Sequence, residues 1–231
     1  MNFKSNKAFW DKEYSQSKNF SLSDSPAEDL LKFARYLERN YGRQFLNPTA
    51  NVLDLGCGNG RNLIYLSKEY GSRGIGCDIS EVAIKQAKER AGGLPLKFFV
   101  AGLAEKFEMP DNSFDIVLDM MASHYLKTGE RKTLISEIAR VLKPDGWFLY
   151  KTFLLESDAN AERMIKENPA DEPNSYIHPT IGSFEHVSEE KEIRELYEPY
   201  FDIEKVEKTG KFSIHGRAGK RRSIIVYMRK K

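Results

Sequence analysis

The sequence predicts an α/β fold: a doubly wound, mostly parallel seven-stranded sheet with helices on both faces and an antiparallel hairpin at its carboxyl-terminal edge. Three observations carry that expectation. Between residues 51 and 153, short apolar runs alternate with segments of helical period, and strand, turn and helix repeated in this order imply right-handed crossovers between parallel strands. A glycine-rich turn, Gly56 to Gly60, joins the first strand to the helix that follows it. The last two strand-like runs, 201–207 and 223–229, have no helical stretch between them, so they pair antiparallel.

The elements follow in order. A polar lead bearing Phe9, Trp10, Tyr14 and Phe20 runs to Ser25-Pro26, a cap with proline at the first helical position. Leu30, Leu31, Ala34 and Leu37 then recur at helical spacing over 26–42. Asn51 to Leu55 is the first strand, and the helix over 62–70 closes at Gly71. A second strand, 74–77, meets the turn Asp78-Ile79-Ser80 and a helix over 81–90. The third strand is 96–100, and the fourth, 114–119, is entered through Pro110-Asp111-Asn112-Ser113. A helix over 129–142 stops at Lys143-Pro144-Asp145-Gly146, and the fifth strand is 147–153. Residues 155–187 read as a helix followed by irregular chain, a length that points to function or mobility, before a helix over 189–197.

Composition bounds the function. With 231 residues, 40% hydrophobic and 30% charged, the chain can bury one sizeable core and is not disordered. No apolar run nears the roughly 18 residues of a membrane span. The first seven residues lack the apolar stretch of a secretory signal, so the expected location is the cytoplasm. Cys57, Cys77 and four scattered histidines give no zinc spacing, so neither a metal nor a disulfide framework is expected. The net charge of +2 is uneven: residues 205–231 hold ten Lys/Arg against one acid, leaving 26 against 33 before them.

The chemistry concentrates in Val52-Leu53-Asp54-Leu55-Gly56-Cys57-Gly58-Asn59-Gly60. Glycines there let the backbone turn tightly and let a ligand reach the main chain, at the edge of a parallel sheet where ligands bind. Eighteen positions after Gly60, Asp78 ends the second strand, where a carboxylate can accept from both hydroxyls of a ribose. A triphosphate-cradling loop needs Gly-Lys-Ser/Thr, but Gly60 is followed by Arg61-Asn62. A dinucleotide turn needs a third glycine where Arg61 stands, and Asp54 would repel a pyrophosphate, though it suits an amine or sulfonium cation.

At these residues the sequence resembles the class I S-adenosylmethionine-dependent methyltransferases of the small, single-domain, Rossmann-like kind. The likeness covers about 8–153, more loosely to 229, through five motifs in register: Phe9 to Tyr14, Val52 to Gly60, Gly76 to Ser80, Pro110 to Asp115 and Arg140 to Gly146. The resemblance implies S-adenosyl-L-methionine as cofactor, with Gly56, Gly58 and Gly60 along its methionine and ribose portions and Cys57, Asn59 and Asn62 beside them. It implies that Asp54 orders the turn, Asp78 holds the ribose and Ile79 packs on adenine. Asp119-Met120 then faces the sulfonium, and Trp10 and Tyr14 belong to a lid, though by composition alone they read as core. Where many relatives carry an acid that contacts adenine this chain has Leu103, which moves that contact to the backbone near Ala104 or to Glu105. The expected division is a lid and helix over 1–45, a cofactor core over 46–153, a substrate cover over 154–187 and a terminal helix and hairpin over 188–231.

Three histidines and the basic tail remain open. His124, after the fourth strand, reads as a general base or as a structural histidine, with Tyr125 beside it near the acceptor. His178 and His186 flank the irregular segment as acceptor contacts or as ordinary loop residues. Lys208, Lys211, Arg217, Lys220, Arg221 and Arg222 could meet phosphates or blunt a sheet edge. The reaction expected is in-line methyl displacement onto N, O or S of a small molecule. A transfer- or ribosomal-RNA methyltransferase using the basic hairpin is the alternative, and a non-catalytic cofactor-binding subunit is a third class.

Overall fold

The computed structural model describes residues 3–16, 22–209, 213–214, 217–218 and 221–231. Of the residues singled out above, Phe20, Lys211 and Lys220 lie outside them, as does the side chain of Arg217.

The sheet forms where the apolar runs require it. Strands β1 (Asn51–Leu55), β2 (Arg73–Asp78), β3 (Leu96–Val100), β4 (Phe114–Met120) and β5 (Leu142–Phe153) alternate with helices. Helix α1 (Phe3–Gln16) and α2 (Glu28–Tyr41) precede β1; α3 (Arg61–Tyr70), α4 (Glu81–Ala91) and α5 (Thr128–Val141) are the crossovers, with one 3-10 turn at Ser123–Tyr125. After α6 (Ala159–Glu167) come the short strands β6 (Ser175–Ile177) and β7 (Phe184–His186), α7 (Glu190–Tyr197), β8 (Phe201–Lys208), the two-residue strands β9 (Ser213–Ile214) and β10 (Arg217–Ala218), and β11 (Ser223–Lys230). The seven-stranded sheet has the order β3-β2-β1-β4-β5-β11-β8. Strands β1 to β5 pair in parallel, and β11 is antiparallel to both β5 and β8. The expected seven strands and their mixed pairing are those of the structure.

Central strands buried on both faces should lack alternation, and β1 and β11 are buried almost throughout. On one face α2 inserts Phe33 and Leu37, and Trp147 of β5 packs edge-on to Phe33, Tyr36 and Phe45. On the other, Ile135 and Ile138 of α5 meet Phe148, Tyr150 and Tyr197.

Several elements differ from expectation: the lead forms helix α1, and α2 starts at Glu28 with Ala27 at its N-cap, so Ser25-Pro26 precede the helix rather than capping it. Strand β5 begins at Leu142, which pairs with Phe114, and the turn through Lys143 to Gly146 is held within the strand by Asp145 at φ +63°. The segment read as irregular after α6 contains the antiparallel pair β6–β7, tied to β5 by a bridge between Leu154 and Ser188.

Strand order reverses between β1 and β4, since β1 leads through α3 to β2 on one side while β4 lies on the other. That crevice is where an open α/β sheet binds its ligands. Helix α1 crosses the same edge. Asp11 anchors it to the start of α4, accepting from the Ser80 hydroxyl at 2.7 Å and the Val82 N–H at 3.2 Å.

Candidate active site

Strand β1 ends in a turn stitched to β2: the Gly56 and Cys57 N–H groups both donate to the Cys77 carbonyl, at 2.8 and 2.9 Å. Gly56 (φ +70°) and Gly58 (φ +54°) are left-handed, and both are closely approached. A Cβ at Gly56 would lie 2.3 Å from the Ala122 Cβ, and one at Gly58 would lie 2.2 Å from the Tyr14 hydroxyl oxygen. Glycine is therefore needed for space as well as for φ. Gly60 starts α3, and Asn59 fastens the chain before α2 to the turn through Asp24, at 3.0 Å. Asn62 accepts from the Ala27 N–H at 3.0 Å and donates to the Met120 sulfur at 3.6 Å.

Asp78, at the end of β2, uses both oxygens locally. One accepts from the Gly58 N–H and the other from the Ser80 N–H, each at 2.9 Å, and each oxygen keeps a lone pair for a ligand. Asp54 and Asp119, at the ends of β1 and β4, are almost fully buried, and each has an Oδ2 without a protein partner. Burial and the neighbouring Asp78 push the Asp54 carboxyl up to about 8. Burial raises Asp119 to about 6, against hydrogen bonds from Ser123 and from the Ala122 N–H, and burial raises Asp78 as well. Three desolvated acids around one turn favour a cationic ligand, because a positive charge there lowers the cost of ionising them.

A cavity of about 500 Å³ opens above this turn. Of the residues expected at the cofactor, Trp10, Tyr14, Gly56, Cys57, Gly58, Asn59, Asn62, Asp78, Ile79, Leu103, Ala104 and Met120 line it. Asp54, Gly60 and Asp119 lie behind that wall. Cys57 and Cys77 are buried free thiols, both raised by burial.

His124 and Tyr125 also line the cavity. The His124 ring lies 4.0 Å from that of Tyr125 and 5.1 Å from that of Phe153, and both its nitrogens are buried without a protein partner. Burial pushes its pKa down to about 4, so the imidazole is neutral near pH 7. His178 and His186 do not reach the wall. His186 is buried between the Ser175 hydroxyl (2.9 Å) and the Glu192 carboxylate (2.8 Å), and His178 accepts from the Thr180 and Ile181 N–H groups. The segment 154–187 supplies no lining residue.

Sequence reasoning missed Asn6, Arg61, Met121, Glu130 and Phe153, which line the same cavity. Phe153 had a signal, since it ends a parallel strand beside β4 on the ligand edge. Met121 had none: it adopts φ +76°, with Asp119 Oδ1 accepting from the Ala122 and Ser123 N–H groups just after it. Of the basic tail, the described cations Lys208, Arg221 and Arg222 turn inward. Arg221 pairs with Glu185 at 2.8 Å and stacks on Phe153 at 3.5 Å. Arg222 donates to the carbonyls of Glu156 and Thr209, and Lys208 pairs with Glu190 at 2.7 Å.

Residues 52–146 match the methyltransferase domain family. The glycine/sarcosine/dimethylglycine N-methyltransferase of Actinopolyspora halophila is 34% identical over 133 residues, 56% of this chain and 23% of that protein. The phthiotriol/phenolphthiotriol dimycocerosates methyltransferase of Mycobacterium tuberculosis is 38% identical over 141 residues, 57% of this chain and 51% of that protein. The chain thus spans about half or less of these relatives' lengths. A solved S-adenosylmethionine-dependent methyltransferase from Methanosarcina mazei superposes with a TM-score of 0.66 at 24% identity, over 81% of this chain and 95% of that one. Residues 52–146 are accordingly similar to methyltransferase domains. The chain as a whole shares its fold with that S-adenosylmethionine-dependent methyltransferase.

Proposed function

We propose that this protein transfers a methyl group from S-adenosylmethionine to an N, O or S atom of a small-molecule acceptor. The observation that carries the reading is the cavity floored by Gly56 and Gly58 and backed by the buried acids Asp54, Asp78 and Asp119, with carboxylate oxygens left unpaired. The cofactor fits this donor set: its sulfonium and ammonium are the cations the acids call for, and its ribose matches the free lone pairs of Asp78.

When bound, the cofactor supplies a methyl already activated by the positive sulfur. The protein's own work is then alignment and exclusion of water, effects that reach about 7–11 kcal/mol in favourable models. In this reading Asp78 holds the ribose and Ile79, Leu103 and Ala104 enclose the base. Asn62 and the end of β4 face the methionine portion, with Asp54 behind them. Trp10 and Tyr14 close over it from α1, which the Asp11 contacts to α4 hold in place.

Among the described residues of the tail, three cations favour small-molecule acceptors over RNA. Lys208, Arg221 and Arg222 are engaged with Glu190, Glu185 and backbone carbonyls, so they present no row of free cations to a phosphate backbone. The two curated relatives named above also act, by their names, on small molecules.

The test is calorimetric binding of S-adenosylhomocysteine followed by transfer of labelled methyl into extract separated into metabolites, RNA and protein. Saturable binding with label in metabolites is expected. Label in RNA alone would reject the acceptor class, and binding without transfer into any fraction would make the protein a non-catalytic subunit.

A further inference from the structure

The acceptor end of the cavity begins where β4 ends, and its wall has a definite chemistry. Trp10, Tyr125 and Phe153 give flat apolar surface, the Trp10 ring lying 5.9 Å edge-on from that of Tyr125. Met121 and Glu130 adjoin them. Of the cavity's carboxylates only Glu130 lies at this end, since Asp78 and Glu105 are the ribose and adenine residues; across the whole lining, among the described residues, three carboxylates stand against the guanidinium of Arg61. The other guanidiniums near this end are occupied: Arg131 pairs with Glu192 at 3.3 Å, and Arg221 with Glu185. An anion entering here would shed its water and meet the like charge of Glu130.

His124 adds the specific contact. Its imidazole is fixed between Tyr125 and Phe153, and neither nitrogen has a protein partner. A neutral imidazole offers one donor and one acceptor, and buried polar groups left unpaired in a protein call for an explanation, which at a cavity wall is a ligand. Because the ring stays neutral near pH 7, it cannot serve as the counter-ion of a carboxylate or phosphate.

Resting on the methyltransferase reading, we infer that the acceptor is an uncharged or cationic molecule with a flat apolar body, whose hydroxyl or amine hydrogen-bonds to His124 against Trp10, Tyr125 and Phe153. Acceptors carrying a carboxylate or phosphate are rejected. Tyr125 packs its half-buried ring against the imidazole, so the contact requires that ring to shift.

The experiment uses the full chain, labelled S-adenosylmethionine and a low-molecular-mass metabolite extract, with the labelled products separated by ion exchange. Label is expected in the neutral and cation-retained fractions. His124→Phe should lower that transfer at least tenfold while leaving S-adenosylhomocysteine affinity within about twofold, and His124→Gln, which restores a donor and an acceptor, should recover part of it. Label confined to the anion-retained fraction or to macromolecules, no label in any fraction, or full transfer by His124→Phe would each overturn the inference. Wild-type protein that fails to bind S-adenosylhomocysteine would instead refute the cofactor reading beneath it.

Discussion

Asp54→Asn isolates the energetic cost of the buried acids. In the folded protein burial and the neighbouring Asp78 carry the Asp54 carboxyl from 3.8 to about 8. Between those values the folded chain keeps a proton that the unfolded chain has released, so stability is fully present below about pH 4 and falls as pH rises toward 8. Each unit is worth about 1.4 kcal/mol, so the loss from this one group between pH 5 and pH 8 is at most about 4 kcal/mol. Asp119, raised to about 6, adds a loss of the same sign over a shorter window, and it is present in both proteins. Urea unfolding of wild type and Asp54→Asn without ligand, at pH 5, 6, 7 and 8, should give two lines that diverge as pH rises, with the wild type the steeper. Binding reads the same charge in reverse: S-adenosylhomocysteine keeps the ammonium group, so its affinity should rise from pH 6 to pH 8 in the wild type and rise less in the variant. Parallel stability lines, or identical pH dependence of binding, would refute the claim that Asp54 is a desolvated acid awaiting a cation.

Asp78→Ala removes the acceptor for the Gly58 and Ser80 N–H groups together with the proposed ribose contact. Charge-assisted hydrogen bonds are worth about 1.5–3 kcal/mol each, so calorimetry should show S-adenosylhomocysteine affinity down at least tenfold. Gly58→Ala combines about 1–2 kcal/mol of left-handed strain with a Cβ placed 2.2 Å from the Tyr14 hydroxyl oxygen; its affinity should fall, and adding Tyr14→Phe should recover only the steric part. Arg221→Ala strands Glu185, which is 3% exposed, and should cost about 3–5 kcal/mol in urea unfolding, whereas a phosphate-binding surface arginine would leave stability unchanged.

The parallel core was legible because its strands centre on short apolar stretches bounded by turn residues, and the glycine turn because its spacing to Asp78 is local. What escaped the sequence depends on partners far along the chain. Arg221 reads as one more basic tail residue, and only Glu185 and Tyr176, distant in sequence and adjacent in space, turn it inward. Strands β6 and β7 are three residues each, too short for any period to mark, and they are fixed by contacts such as Ser175 to His186. The start of β5 at Leu142 rests on pairing with Phe114 across a register shift, which no local pattern encodes. His186 looked like an acceptor contact because histidine beside an irregular segment is chemically suggestive. Its two buried hydrogen bonds show what a satisfied histidine looks like, and His124, with none, is the contrast that singles it out.

The placement of the acids follows from topology as much as from side-chain type. Strands β1, β2 and β4 end at one edge beside the point where strand order reverses, so an acid at or just before the end of each comes to the same crevice without any long-range sequence signal. There the carboxylates do two kinds of work. Asp78 and Asp119 spend oxygens on backbone N–H groups, which fixes the glycine turn and sets the left-handed Met121 before the His124 turn. The lone pairs left over, with Asp54, remain desolvated. Apolar side chains at these positions would relieve the electrostatic cost, but they would also release the turns that shape both ends of the cavity. The same groups that weaken the empty protein at neutral pH therefore hold the geometry of the site and favour a cationic ligand within it, so stability and cofactor affinity should move in opposite directions as these acids ionise.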